Sequence, residues 1–341
     1  MKFLIWGAGA IGGTIGAYLS RAGHDVTLVD RAADHVQAIN TNGLSIIGPV
    51  DEFTVRIPAF TPETISGQFE HILLCVKAQD TPEAARAILP HLAPDGYVVS
   101  VQNGLNELVI SEIAGRQRTI GCFVNFGADY MEPGVVQRGN RAAVVIGELD
   151  GQMTPRIQQL HRAFLDFDDR AILTPNIWGY LWGKLSYGIL LFATALTNDS
   201  IADALAYPQY RDMYIALAAE PLRVAQARGV QPEAFDGFDP MAFMPGADPA
   251  VSNRSLDDLV AFNRRSAKSH SGIWRDLAVR KRRTEVDAIL GPIVTLGAEA
   301  SIPAPLTARL IELIHEIENG QRQMNAANLD ELKLTASIRE G

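Results

Sequence analysis

Close to the N-terminus an apolar run, Lys2-Phe3-Leu4-Ile5-Trp6, breaks into Gly7-Ala8-Gly9-Ala10-Ile11-Gly12. The spacing G-x-G-x-x-G after a strand and at the start of a helix suits one chemistry, the holding of a diphosphate. Gly7 allows the tight turn, Gly9 lets the backbone approach the phosphates, and Gly12 lets helix and strand pack closely. Ala10 and Ile11 open the helix, whose unpaired N–H groups and positive end attract the anion. A plain glycine-rich turn is the competing reading, and the strand before the motif with the helix after it argues against that.

Three further groups fall where an open α/β sheet places its ligand contacts, past the carboxyl ends of strands. Asp30 and Arg31 follow the second strand, roughly twenty residues beyond the glycines, where an adenosine ribose is read. The carboxylate would accept from both ribose hydroxyls and repel a 2′-phosphate, favouring NAD; the guanidinium would bind that phosphate and favour NADP, or only stack on adenine. The balance leans slightly to NAD. Lys77 follows a strand at Ile72–Val76, and Asn103 follows one at Tyr97–Val101. Its amide could hydrogen-bond a substrate carbonyl or the nicotinamide ribose, although Asn-Gly is also an ordinary turn pair.

Lys184 is the sole charged residue between Ala171 and Asn198. Burial disfavours an ammonium, so its presence there asks for a reason. Reduction of a carbonyl creates an alkoxide, which an ammonium at hydrogen-bond distance stabilises and protonates. A lysine that snorkels its amine to the surface accounts for the composition equally well.

Stepping from these residues to their supports, the pattern predicts a strand at Lys2–Trp6, a helix at Thr14–Ala22 capped by Gly23, and a strand at Val26–Val29. It continues with a helix near Asp34–Asn40, a hairpin-like stretch at Leu44–Phe60, a strand at His71–Val76, a helix at Pro82–Leu89 and strands near Tyr97–Val101, Ile120–Phe126 and Ala142–Ile146. Alternating elements with continuous apolar runs predict a mostly parallel sheet covered on both faces. After about residue 170 only helical spacing remains, at Trp178–Leu196, Tyr210–Arg228, Leu256–Asn263, Trp274–Gly297 and Ala304–Asn319. The segment Gln231–Ser252 is either a mobile cover or an insertion. The expected plan is therefore α/β: a Rossmann-type dinucleotide-binding domain over residues 1–172 and an all-α domain over 173–341.

The bulk properties narrow the field. A chain of 341 residues exceeds what one core usually supports. A net charge of −9 gives no basic field for nucleic acid. The run Arg280–Arg283 is bracketed by acids and reads as a solvated helix face, with phosphate contact as the minority reading. Two cysteines, both in apolar runs, suit a reducing, cytoplasmic setting. The apolar stretch around Lys184 is interrupted by Pro175, Asn176, Ser186, Thr194 and Thr197, which argues against a membrane span. No metal-ligand spacing is expected to matter.

Taken together, KFLIWGAGAIGG, the strand-plus-lysine CVKAQD, the Gln102–Gly104 turn, Trp-Gly-Lys-Leu at 182–185 and Arg-Arg-Thr-Glu-Val-Asp at 282–287 resemble ketopantoate reductases, in the right order over most of the chain. The resemblance implies a Rossmann domain, a helical domain, and reduction of 2-dehydropantoate to pantoate with NADPH. It places Lys184 on the catalytic acid, Asn103 on the residue orienting substrate and nicotinamide, Glu285 on the active-site glutamate, and Lys77 and Arg31 on residues holding the adenosine phosphate, against the NAD preference. Two departures concern the substrate: where the family carries asparagines one and two turns after the lysine, this chain has Gly188 and Phe192. Ser271 is the nearest candidate for the serine contacting the substrate carboxylate. Trp178 and Trp274 either line the pocket or pack in the core. The expected partner is a small 2-oxo or 2-hydroxy acid, one bulkier or less polar than pantoate, with a homodimer by analogy. The alternatives are a dehydrogenase for another hydroxy acid, opine or sugar acid, and a dinucleotide sensor without hydride transfer.

Overall fold

The computed structural model describes residues 1–265 and 269–337. Two compact units divide the chain, Met1–Ile177 and Trp178–Gly341. The first opens with β1 (Lys2–Trp6), α1 (Ala10–Arg21), β2 (Asp25–Val29) and α2 (Ala33–Asn42). Then come β3 (Leu44–Ile47), β4 (Phe53–Val55), β5 (Ala59–Phe60), β6 (Phe69–Leu74), α3 (Thr81–Ile88), β7 (Leu92–Ser100), α4 (Asn106–Ala114) and β8 (Thr119–Val124). It ends with β9 (Ala128–Glu132), β10 (Val135–Arg138), β11 (Val144–Glu148), α5 (Pro155–Phe167) and β12 (Ile172–Leu173).

Eight strands form one sheet in the order β12-β11-β8-β7-β6-β1-β2-β5. Only the β8–β11 pairing is antiparallel. The order reverses direction between β1 and β6, so their carboxyl ends flank the crevice where such sheets take ligands. Side chains alternate across the strands as a period of two requires: Phe3, Ile5, Leu28, Leu73 and Val99 enter one core, Leu4, Trp6, Ile72, Leu74 and Val98 the other. Both faces are thus buried, which is why these strands read as unbroken apolar runs.

The stretch Leu44–Phe60 resolves into an antiparallel β3–β4 pair, while β5 joins β2 in the main sheet. A second sheet, β4-β3-β10-β9, includes a hairpin at 128–138 that the sequence pattern did not announce. Its outer strand β9 exposes Tyr130 at 41% and Met131 at 51%, so no apolar alternation marks it.

The second unit follows from α6 (Ile177–Thr194) through α7 (Ile201–Ala206), α8 (Arg211–Ala227), α9 (Pro249–Arg265), α10 (Gly272–Trp274), α11 (Val286–Glu299), α12 (Pro305–Glu318) and α13 (Ala327–Ser337). No strand is named in it among the described residues. The expected helix at Trp274–Gly297 is broken: a π-helical turn at Arg275–Val279 runs into a connection before α11. Side chains hold that connection open. Buried Asp276 binds Arg280 at 2.9 Å and Arg282 at 2.9 Å, and Glu318 accepts from both the N–H and the hydroxyl of Thr284 at 2.7 Å. The basic run is therefore no helix face, contrary to its sequence pattern.

Within residues 231–252 an aromatic cluster packs the segment down. Phe235 and Phe238 exchange two backbone hydrogen bonds, both rings are buried, and Phe238 stacks on Phe243 with centroids 5.5 Å apart. Tyr187 of α6 packs on Phe238 at 5.5 Å. Glu220 of α8 anchors the start of α12: its carboxylate accepts from the N–H groups of Leu306 at 3.0 Å and Thr307 at 2.7 Å and from the Thr307 hydroxyl at 2.6 Å. Those N–H groups have no acceptor within their own helix.

Candidate active site

The glycine turn can be tested by asking what a side chain would meet. A Cβ at Gly7, whose φ is +99°, would stand 2.9 Å from the Cys75 carbonyl carbon, and one at Gly12 would lie 2.1 Å from the Gly7 oxygen. Neither position admits another residue. A Cβ at Gly9 meets no atom within 4 Å, so this glycine faces open space. The backbone is pinned from behind, where the N–H groups of Gly7 and Ala8 donate to the Val29 carbonyl at 2.8 and 3.1 Å. Close packing at Gly7 and Gly12 with open ground at Gly9 fits a diphosphate resting on the first turn of α1.

Asp30 is partly buried past the end of β2, and its Oδ1 accepts the Ala32 N–H at 3.0 Å, which fixes the carboxylate in place. Arg31 is 80% exposed and 3.7 Å from Asp80. Lys77 is exposed at the end of β6. Asn103 is exposed in the turn after β7, where Gly104 takes φ +91°.

Beneath Lys77 and Asn103 runs a chain of hydrogen bonds that the sequence reading missed. The Gln102 amide donates to the Val76 carbonyl at 2.9 Å and to Thr81 Oγ1 at 2.7 Å. The Thr81 hydroxyl donates to Asn106 Oδ1 at 2.8 Å, and Asn106 Nδ2 donates to the Asn103 carbonyl at 2.6 Å. Three buried side chains thus lock the ends of β6 and β7 to one another. The Gln-Asn-Gly-Leu-Asn spelling is the only local sign of it.

Glu107, next on α4, is fully buried, and neither carboxyl oxygen has a hydrogen-bond partner among the described residues. The hydroxyls of Ser100 and of Ser111, one turn on, are also unpartnered. Burial pushes the Glu107 carboxyl up to about 8.

In the second unit α6 is packed nearly all round through Leu181, Trp182, Leu185, Ser186, Ile189 and Leu190. Tyr180, Lys184, Tyr187, Gly188 and Leu191 form its less buried stripe. Lys184 is therefore partly buried, between the enclosed and the snorkelling lysine that its lone charge left open. A Cβ at Gly188 would meet nothing within 4 Å, whereas Phe192, at 2% exposure, belongs to the packed side. Ser271 is buried and caps α10, its Oγ accepting the Trp274 N–H at 3.1 Å. That bond leaves the hydroxyl proton to donate elsewhere. Glu285 sits partly buried at the N-cap of α11, directly after Thr284, which Glu318 holds. Trp178 and Trp274 are both partly buried, and the Trp274 ring centroid lies 4.0 Å from that of His270.

A glycine cradle at the switch point of a doubly wound sheet, followed in the chain by a helical unit, is the plan of the two-domain oxidoreductases that take NAD(P)H. Comparison with known proteins makes the assignment particular. Residues 3–151 match the family model described as ketopantoate reductase PanE/ApbA, and residues 176–318 its C-terminal counterpart. The chain belongs to the ketopantoate reductase family. It is 28% identical over 326 residues to the 2-dehydropantoate 2-reductase of Pyrococcus horikoshii, covering 94% of this chain and 98% of that one. A PanE/ApbA family ketopantoate reductase from Ralstonia eutropha superposes with a TM-score of 0.78 at 28% identity, over 95% of this chain and all of that one. A D-mandelate dehydrogenase solved with NADH and anilino(oxo)acetate shares the fold, with a TM-score of 0.80 at 22% identity over 94% and 99% of the two chains. No helix among the described residues is long and apolar enough to cross a membrane.

Proposed function

We propose that the protein reduces the C2 carbonyl of a 2-oxo acid to the 2-hydroxy acid, with 2-dehydropantoate or a bulkier, less polar analogue as substrate. The observation that carries this reading is the less buried stripe of α6, where Lys184 has open ground at Gly188 one turn on. The bound dinucleotide supplies the hydride. Gly7, Gly9, Ala10, Ile11 and Gly12 hold its diphosphate, Asp30 its ribose, and Arg31 and Lys77 border the adenosine end. Lys184 donates a proton to the developing alkoxide, and Asn103, on its locked turn, orients the carbonyl and the nicotinamide ribose. Glu285 fixes a hydroxyl, and Ser271 offers its hydroxyl proton to the substrate carboxylate while capping α10.

Two finer points belong to the same proposal. NADH is the preferred reductant, because the Asp30 carboxylate is held rigid by the Ala32 N–H and Arg31 shares its charge with Asp80. The substrate's side chain lies beside Gly188, where no amide offers a hydrogen bond, so apolar substituents are tolerated there. We also propose a homodimer and a reducing compartment, the latter supported by two free thiols, with burial pushing that of Cys75 up.

The test is oxidation of NADH and NADPH, followed by absorbance, against 2-dehydropantoate, 2-oxoisovalerate and benzoylformate. Turnover is expected with all three, and with higher kcat/KM for the apolar acids. Tight dinucleotide binding without turnover of any acid would replace this reading by that of a dinucleotide sensor.

A further inference from the structure

His35 lies in α2 and has been assigned no role above, and its ring is fully buried. Both ring nitrogens are engaged by the backbone. Nδ1 accepts the N–H of Gly134, in the turn between β9 and β10, at 2.9 Å. A nitrogen that accepts carries no proton, so the neutral ring has its hydrogen on Nε2, and that N–H donates to the Ala8 carbonyl at 3.0 Å. The tautomer is dictated by two groups that cannot exchange roles. The turn at Gly134 is suited to glycine, since its φ is +82° and a Cβ there would come within 3.2 Å of Ala38.

Ala8 is the middle residue of the glycine cradle. The described chain holds no cis peptide, and in a trans peptide the carbonyl of one residue and the N–H of the next point in opposite directions from one plane. Drawing the Ala8 oxygen inward to His35 therefore turns the Gly9 N–H outward, and Gly9 is the residue of the cradle that faces open space. No backbone acceptor among the described residues takes that N–H. Rotation of the Ala8–Gly9 peptide would reverse the pair and present an oxygen where an anion must sit. Such a rotation turns on ψ of Ala8 and φ of Gly9, and the missing side chain at Gly9 leaves the latter angle wide latitude.

We propose that His35 is a positioning residue that aims the Gly9 N–H at the diphosphate of the bound dinucleotide by holding the Ala8 carbonyl on the opposite side. The inference rests on the cradle being a dinucleotide site, and its test separates the two. Calorimetric titration with NADH, NADPH and ADP-ribose, and displacement of NADH by adenosine, are measured on the wild-type chain, His35→Phe and His35→Gln. Phe keeps the ring volume without a donor; the Gln amide reaches as far as Nε2 and restores one. His35→Phe is expected to weaken the three diphosphate ligands about tenfold or more, as losing one hydrogen bond to a charged group does, and to leave displacement by adenosine within about a factor of two. His35→Gln should recover most of the loss. Nitrogen NMR of the wild-type imidazole gives an independent reading that needs no variant, with a proton on Nε2 and none on Nδ1.

Equal weakening of adenosine and diphosphate ligands, no weakening at all, or the reverse tautomer would overturn the role of His35 while the dinucleotide reading stands. A wild-type chain that binds none of the three diphosphate ligands would remove the dinucleotide reading itself, and this proposal with it.

Discussion

Replacing Glu107 by Gln should stabilise the protein, and by an amount that grows with pH. The carboxyl is enclosed on α4 without a hydrogen-bonded partner, and burial raises it from the ordinary 4.5 to about 8. Below pH 4.5 the folded and unfolded chains both hold the proton and the group adds no pH dependence. Above it the unfolded chain releases a proton that the folded chain keeps, so stability falls by about 1.4 kcal/mol per pH unit until the folded carboxyl ionises. Integrated across that window, the loss is on the order of 5 kcal/mol. Glutamine has the same shape and never ionises. Thermal unfolding of both chains at pH 5, 6.5 and 8 and constant ionic strength should give midpoints that nearly coincide at the lowest pH and separate by several degrees at the highest, with Gln ahead. A protonated carboxyl stretch in the infrared spectrum at pH 6.5, absent from the variant, would accompany this. A gap that does not change with pH, or a wild type that gains on the variant as pH rises, would mean the carboxylate is solvated or paired, and the argument from burial fails.

Lys184→Ala should lower kcat by about a hundredfold or more while the dinucleotide Kd stays nearly constant, as expected for loss of a proton donor; parallel loss of both in titration and steady-state kinetics would mark a structural lysine. Asp30→Asn keeps the acceptor for the Ala32 N–H but removes the charge, so the ratio of NADPH to NADH kcat/KM should rise about tenfold; an unchanged ratio removes Asp30 from cofactor choice. Gly188→Asn places an amide on open ground one turn after Lys184 and should shift kcat/KM toward 2-dehydropantoate over 2-oxoisovalerate by about tenfold or more. Glu220→Ala strands two N–H groups at the start of α12 and should cost on the order of 3 kcal/mol in urea unfolding, more than Glu220→Gln, which keeps an acceptor.

What could be read from sequence was what local backbone demands. Gly7 and Gly12 are spelled by collisions that any side chain would make, and the apolar runs of β1, β6 and β7 by burial on both faces. Lys184 stood out as a single charge in an apolar stretch, but that pattern does not say how deep the amine lies. The hairpin β9–β10 escaped because its outer strand is exposed and its inner strand pairs with β3, far back in the chain. His35 reads as an ordinary helix residue, since its partners stand 27 and 99 positions away. Glu107, in the first turn of α4, looks like a favourable acid at a helix start, and only the packing shows that it is enclosed. The break after Val279 depends on Asp276 and Glu318 capturing groups that helical periodicity does not register.

The tie from Ala8 through His35 to Gly134 also bears on how the protein is made. A ribosome that has released the first hundred residues has already delivered β1, β2 and the whole glycine motif, but not the amide that fixes the imidazole. The hydrogen bond to Nδ1 of His35 can form only once Gly134, 99 positions further along the chain, has emerged.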